Sequence, residues 1–368
     1  MKKLMSVFML FVFAMTSLVA CSSKDNAEGE ASGSKIRVGM VTDSGSIDDK
    51  SFNQGTWTGI NQYAEEFPAD VKYVQPSGET TEDYLSSIDN LVTAGYEMII
   101  LPGYKFEEAL TTAQTANPEV KFVILDGEPA EVNENSLSIF FTEHEAGFLA
   151  GVAAALQTKT GKLGFVGGMP IPPVERFGYG FLAGVAYANK TYGTTAEVID
   201  YQYQGTFNDV AAGKTIAGGM YDKGIDIIFH AAASVGVGVI NEAKTRAEND
   251  EEVYVIGVDV DQYEEGMTTK GNSVILTSAV KKIDVAAYEN IKLFSEGNFP
   301  GGETLIMDAK QGGVGLPEEN PNLTDDTVAK TDEVLEAIKS ENIVVPSTKE
   351  ALNEYLNTME YNSSAINY

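Results

Sequence analysis

Residues 36–54 read Ile36-Arg37-Val38-Gly39-Met40-Val41-Thr42-Asp43-Ser44-Gly45-Ser46-Ile47-Asp48-Asp49-Lys50-Ser51-Phe52-Asn53-Gln54. The first six form a short run rich in β-branched residues, too short for a helix, and predict a buried strand. The next ten are mostly small, polar or acidic, which makes them a loop. From Phe52 the period changes. Ile60, Tyr63, Ala64 and Phe67 recur at helical spacing, so residues 52–67 predict an amphipathic helix. Strand, acid-bearing loop and helix together are the opening half of a βαβ unit.

The alternation continues outward. Strands are predicted at 71–75, 98–101, 121–125 and 137–141, with helices at 82–94 and 106–116 between them. A second series then begins: helix 146–157, strand 163–166, helix 174–189, strand 196–201, helix 209–221, strand 226–229, helix 237–248, strands 253–258 and 274–277, and helix 283–294. Such alternation implies right-handed crossovers and parallel sheets. Two series without a sequence repeat imply an α/β chain of two doubly wound parallel-sheet lobes. Ligands of such sheets bind beyond the carboxyl ends of the strands. Those ends carry Asp43-Ser44-Gly45, Pro102-Gly103-Tyr104, Asp126-Gly127, Gly167-Gly168-Met169, Gln204-Gly205-Thr206-Phe207, Ala231-Ala232-Ala233-Ser234 and Asp259. Small residues let a ligand approach the backbone, and acids and aromatics supply contacts. Two facing rims predict a clamshell with the ligand between the lobes.

The N-terminus speaks to location. Lys2 and Lys3 precede an apolar run over residues 4–20, interrupted by Thr16 and Ser17 and ending Leu18-Val19-Ala20-Cys21. That is the layout of a secretory signal over residues 1–20. The last four residues resemble a lipobox, which implies a lipid on Cys21, the only cysteine in the chain. Two or more acyl chains, at roughly 0.8 kcal/mol per buried methylene, make a stable anchor on the extracytoplasmic face of the cell membrane. An ordinary signal with an incidental cysteine and a single membrane-spanning anchor are the alternatives; the run is short for the latter. Residues 21–35 are small and polar, a flexible tether. The rest of the chain exceeds what one core usually serves. With 54 acidic against 25 basic residues the net charge is -29, which disfavours nucleic acid as a partner.

The segment Asp43–Gln54 resembles the signature of the basic membrane protein family of bacterial lipoproteins, which includes purine nucleoside receptors of ATP-driven importers. Gly205-Thr206-Phe207-Asn208-Asp209, Ile256-Gly257-Val258-Asp259-Val260-Asp261-Gln262, Thr277-Ser278-Ala279-Val280-Lys281-Lys282 and Gly312-Gly313-Val314-Gly315-Leu316 support it. The resemblance spans residues 35–346. It implies a type I periplasmic-binding-protein clamshell whose chain crosses between lobes near 141–145, 277–281 and 308–311. The N-terminal lobe is then 36–142 plus 279–308, and the C-terminal lobe 143–278 plus 309–368. It further implies a purine stacked between Phe52 and Phe207, with Asp43 and Asn53 near the base, Asp126 also in the pocket, and Asp259 and Lys281 at the ribose hydroxyls. The resemblance also implies backbone at Gly236 and Gly238 close to the sugar, and Met169 lining the cleft. The implied partners are a nucleoside and the permease and ATPase subunits of an importer, with the receptor a monomer and no cofactor. Three positions have a plainer alternative: Phe52 as the first core residue of its helix, Asp126 as a helix cap, and Met169 as a lobe-core side chain.

Catalysis finds little support. The chain has two histidines, His144 and His230, and its one cysteine is committed to lipid, so zinc and Cys–His chemistry are excluded. Asp43, Asp48 and Asp49 lack the spacing of a calcium loop. Gly178-Tyr179-Gly180-Phe181-Leu182-Ala183 imitates a dinucleotide fingerprint but falls inside a predicted helix rather than at a strand-to-helix turn. A binding protein for a sugar or other small metabolite, and a surface adhesin or sensor, remain the alternatives to a nucleoside receptor.

Overall fold

The structure is a computed structural model that describes residues 35–368. Cys21, the signal segment and nearly all of the tether lie outside the described residues.

Each apolar run that predicts a strand forms one. The first series gives β1 (Ile36–Val41), α1 (Phe52–Glu66), β2 (Ala69–Val74), α2 (Thr81–Thr93), β3 (Met98–Pro102), α3 (Glu107–Ala116), β4 (Lys121–Leu125) and β5 (Ser136–Phe141). The second gives α4 (Glu143–Gln157), β6 (Lys162–Gly167), α5 (Pro172–Tyr192), β7 (Glu197–Tyr203), α6 (Val210–Asp222), β8 (Ile227–Ala231), α7 (Ser234–Glu248), β9 (Tyr254–Asp259) and β10 (Ile275–Lys281). Then follow α8 (Ile283–Ser295), β11 (Glu303–Met307), β12 (Val314–Gly315), α9 (Asp325–Lys339) and α10 (Lys349–Thr358).

Among the described residues the strands form two six-stranded sheets, ordered β11-β5-β4-β3-β1-β2 and β12-β10-β9-β8-β6-β7. All pairings are parallel except β10 with β12. The two orders are the same walk, so β1 corresponds to β6, β4 to β9 and β5 to β10. The chain changes sheet after β5, returns after β10 when α8 packs on α1, and changes again between β11 and β12. This is the doubly wound, two-lobed α/β architecture that the alternation predicts.

The false dinucleotide fingerprint has a packing role, its Gly178 facing Tyr201 and its Gly180 belonging to a helix crossing. Helices α4 and α5 cross at Gly147, Gly151, Gly180 and Gly184. A Cβ on any of these would fall 2.0–2.3 Å from a backbone carbonyl oxygen of the facing helix. Only hydrogen fits there, so the helix axes approach closely. The crossing fixes the head of α4, where the chain enters the second lobe, against the start of α5.

Two boundaries differ from the sequence expectation in ways that matter for the site. β10 runs on to Lys281 rather than ending at Thr277, because its polar residues are buried and bonded: Thr277 donates to Asn320 Oδ1 at 2.5 Å, and Ser278 Oγ accepts from the Gln262 amide at 3.1 Å. Helix α4 begins at Glu143, three residues before the expected Ala146. The stretch after residue 316, loop-like in sequence, is followed by α9 and α10, which pack on α4 and α5.

Candidate functional site

The carboxyl ends of the strands from both sheets converge on one cavity with an empty volume of about 620 Å³. From the first lobe come Asp43, Phe52 and Asn53 around the β1–α1 loop, Tyr104 after β3, and Asp126 after β4. From the second come Val174 and Phe177 on α5, Phe207 after β7, Ala231–Ala233 after β8, Asp259 ending β9 and Lys281 ending β10. Of the residues expected at the site, Asp43, Phe52, Asn53, Asp126, Phe207, Asp259 and Lys281 therefore line a single space. Met169 and Gly236 do not line it. Met169 is half-buried in the turn after β6. Gly236 packs on His230, whose Nδ1 lies 2.1 Å from where a Cβ would stand. Gly238 likewise serves helix packing, facing the Val210 carbonyl of α6 at 2.1 Å.

One end of the cavity is organised by the loop that opens the chain. Asp49 accepts from the Ser51, Asn53 and Gln54 amides at 2.9, 2.9 and 3.1 Å. It thus satisfies the free N–H groups at the head of α1, as a capping acid does. Asn53 donates to Asp43 Oδ1 at 2.8 Å and to Asp49 Oδ2 at 2.9 Å, and accepts from the Asp43 amide at 3.1 Å. Gly45 leaves room for this: a Cβ would stand 2.5 Å from Asn53 Nδ2. Burial raises the pKa of Asp43 above the ordinary carboxylate range.

A second cluster in the cavity is ionic. Lys281 Nζ lies 2.5 Å from Asp126 Oδ2, 3.6 Å from Glu143 Oε1 and 3.7 Å from Asp259 Oδ1. It also stands over the rings of Phe52 and Phe177, 4.6 and 5.7 Å from their centroids. Burial alone would lower the ammonium's pKa; Asp126, Asp259 and Glu143 outweigh it and hold the value above the ordinary one. Burial, and then Asp126, push Glu143 up to about 7, while Arg176 at 2.6 Å and Lys281 pull it down. Asp126 and Asp259 end corresponding strands of the two sheets, and both take left-handed backbone, with φ of 57° and 66°. Ala233, on the same wall, has φ 45°. Asp tolerates this region better than most residues, while Ala there carries strain of about 1–3 kcal/mol. Strained residues are retained where the surroundings over-determine them.

Phe207 is set by its neighbours. Its carbonyl accepts from the Val235 amide at 3.3 Å, and its ring lies flush on Gly168, where a Cβ would stand 2.3 Å from ring carbons. The histidines stand apart from the cavity wall, and burial lowers both to about 4, leaving them neutral near pH 7. The sequence reading missed Glu143, Arg176, Ser51 and Phe177, of which only Phe177 lines the cavity.

The sequence matches the family described as Bmp, ABC transporter substrate-binding protein PnrA-like, over residues 36–349. A Listeria innocua protein named CD4+ T-cell-stimulating antigen is 37% identical over 89% of this chain and 94% of its own length. The Lactococcus lactis subsp. cremoris protein named ABC transporter nucleoside-binding protein BmpA is 33% identical over 87% of this chain and 92% of its own. A solved ABC transporter solute-binding protein from Aeropyrum pernix K1 superposes with a TM-score of 0.76 at 29% identity, covering 88% of this chain and 97% of that one. The lac repressor dimer, at TM-score 0.53 and 16% identity, shares the fold alone. No helix among the described residues is long and apolar enough to cross a membrane. By the match over residues 36–349, the chain belongs to the Bmp family of ABC transporter substrate-binding proteins, a family of binding proteins rather than enzymes.

Proposed function

We propose that this chain is a lipid-anchored extracytoplasmic receptor that binds a purine nucleoside between its lobes and delivers it to the permease and ATPase of an importer. The observation that carries this reading is the meeting of two chemistries in one cavity. Aromatic rings come from both lobes, Phe52 from one and Phe177 and Phe207 from the other, and a carboxylate–ammonium cluster lies against the Phe52 and Phe177 rings. A flat base suits the rings, whose stacking contributes about 1–3 kcal/mol per base. A sugar's hydroxyls suit Asp259 and Lys281, which accept and donate charge-assisted bonds. Asp43 offers its second carboxylate oxygen to the base edge, and Asn53, bonded to it on both sides, holds it in place. Carboxyl groups at Asp43, Asp49, Asp126 and Asp259 repel phosphate, so nucleosides are taken in preference to nucleotides. The name of the Lactococcus relative supports the ligand class.

In this reading residues 36–142 with 282–308 move as one lobe and residues 143–281 with 309–368 as the other, because β10 keeps 279–281 with the second sheet rather than with the first as expected from sequence; the receptor works as a monomer tethered through Cys21. Calorimetry with guanosine, inosine, ribose and a nucleoside monophosphate tests the ligand. Tight binding of a purine nucleoside with weaker ribose and monophosphate is expected. Ribose bound better than any nucleoside sinks the base site. Metabolic acyl labelling tests the anchor: label on the wild type and none on Cys21→Ser is expected.

A further inference from the structure

Glu143 is the first residue of α4, directly past the point where the chain enters the second lobe. Its side chain is wholly buried and lies behind the cavity wall. Oε2 accepts from Arg176 Nε at 2.6 Å, while Oε1 faces Lys281 Nζ at 3.6 Å and has no hydrogen-bond partner. Asp126 Oδ1, beside the same ammonium, is likewise buried and unpartnered. The charges facing Glu143 are Asp126 from the end of β4, Asp259 from β9, Lys281 from β10 and Arg176 from α5. On its own helix His144 is neutral, and Glu145 is turned away to Thr142 Oγ1 and the Ala309 amide, at 2.6 and 2.8 Å. Three carboxylates thus share two cations, and Asp43 and Asp49 add negative charge across the cavity.

We infer that Glu143 is a positioning residue for the ligand: clamped by Arg176, it fixes Lys281 from behind the cavity wall and takes up a proton when the lobes close. The inference rests on the nucleoside reading of the same cavity. A nucleoside is neutral and brings no counter-charge. Closing the lobes on it removes water from a cluster with excess negative charge, which is costly unless a carboxylate is neutralised. Glu143 is the one suited to this. Asp126 and Asp259 line the cavity, where a ligand's hydroxyls can donate to them, and each already holds a donor at 2.5 Å, from Lys281 and Ser51; Glu143 lies off the cavity, and its Oε1 stands 3.6 Å from the shared ammonium with no donor of its own. A proton on Oε1 removes the repulsion from Asp126 and leaves the Arg176 contact intact.

The lobes are closed in this structure, and here Glu143 sits at about 7. An open cleft readmits water and returns it toward the ordinary carboxylate range. The bound form has the higher value, so binding takes up a proton and affinity falls as pH rises through 7. Calorimetry of the full mature chain with inosine, in buffers of different protonation enthalpy, reads the proton number. The wild type is expected to take up about half a proton at pH 7 and nearly one at pH 6, with affinity falling about tenfold from pH 6 to pH 8. Glu143→Gln, which keeps the shape, is expected to bind with no uptake and a flat pH profile. Arg176→Gln removes the cation that favours ionised Glu143 and is expected to move the midpoint to higher pH, which loss of packing alone does not do. The wild-type proton count and the Arg176 variant decide the matter even if Glu143→Gln fails to fold. A wild type that binds inosine without proton uptake, or a Glu143→Gln protein that keeps it, overturns the inference and leaves the nucleoside reading standing. A wild type that binds no nucleoside overturns both.

Discussion

Ser51 and Asp259 belong to different lobes, yet the Ser51 hydroxyl donates to Asp259 Oδ2 at 2.5 Å. Alongside it, Gln262 Nε2 donates to the Lys50 carbonyl at 2.7 Å, and Lys50 Nζ lies 3.2 Å from Glu265 Oε1. Lys281 reaches across to Asp126 in the same way. These links hold the loop before α1 against the loop after β9, and the end of β10 against the residue after β4. Asp259 therefore spends one oxygen on closure and keeps Oδ1 for Lys281 or a ligand.

Ser51→Ala should loosen closure without unfolding either lobe. The bond joins a hydroxyl to a buried carboxylate, a class that contributes about 1.5–3 kcal/mol. Small-angle scattering of the ligand-free variant should show a larger radius of gyration than the wild type, and saturating ligand should erase the difference. Identical ligand-free scattering curves for the two proteins would show that Ser51 takes no part in holding the lobes together.

The ring of Phe207 can be tested in place and through its support. Phe207→Ala should cost about 1–3 kcal/mol of nucleoside binding, or roughly one to two decades in affinity. Gly168→Ala should act in the same direction with the ring still present, because the new methyl would sit 2.3 Å from ring carbons and push the ring aside. Both losses should be equal for a nucleoside and its 2'-deoxy analogue, since the ring serves the base. Titration of the two variants with matched ligands checks it, and a loss confined to the ribo form would place Phe207 at the sugar instead.

The fold was legible because buried parallel strands are short apolar runs and their helices carry a clear stripe. So were the cavity residues at strand ends, since Asp43, Asp126, Phe207 and Asp259 interrupt the pattern where a parallel sheet offers its site. What stayed hidden had weaker signals. α9 buries Thr327, Thr331, Val334 and Ile338, a stripe half made of threonine, and α10 buries only Leu352 and Leu356. Glu143 read as part of a polar crossover because the apolar period begins at Ala146, although α4 starts three residues earlier. Its partner Arg176 lies 33 residues away, and only the α4–α5 crossing brings the two together. Met169 and Gly236 were placed by resemblance; local packing directs Gly236 to His230 and leaves Ile171, not Met169, on the wall.

The α4–α5 crossing should tolerate no side chain. Gly184→Ala would put a Cβ 2.1 Å from the Phe148 carbonyl oxygen, backbone that cannot swing away. Overpacking of this kind costs about 1–3 kcal/mol or more. Gly219→Ala on α6 is the control, because nothing lies within 4 Å of its added methyl. It should raise stability by about 0.5–1 kcal/mol through helix propensity. Urea titration of both proteins gives the comparison, and equal midpoints would mean that the helices part to admit the methyl.

Asp259 and Lys281 face the same ligand end but should fail differently. Asp259→Asn keeps the shape and removes a charged acceptor. It should weaken ribonucleosides by about 1.5–3 kcal/mol and shrink their advantage over deoxy analogues. Lys281→Met does more, because it leaves Asp126, Asp259 and Glu143 facing one another without their cation. Breaking a buried ion pair from one side costs about 3–5 kcal/mol. The carboxylates left behind are already raised at Glu143 and Asp259, and losing Lys281 raises them further. A carboxyl whose folded value exceeds its unfolded one contributes stability that is complete at low pH and is lost as pH climbs through the folded value. Lys281→Met should therefore melt well below the wild type at pH 8 and approach it at pH 5. Adding Asp259→Asn removes one of the stranded charges, so the double variant should be more stable at pH 8 than Lys281→Met alone. At pH 5, with both folded, their losses in ribonucleoside affinity should be non-additive, as expected of two groups that grip one sugar. Melting curves at the two pH values and titrations with ribo and deoxy ligands decide it. An Asp259→Asn protein that changes base preference while keeping its preference for ribose would reverse the assignment of base and sugar contacts in the cavity.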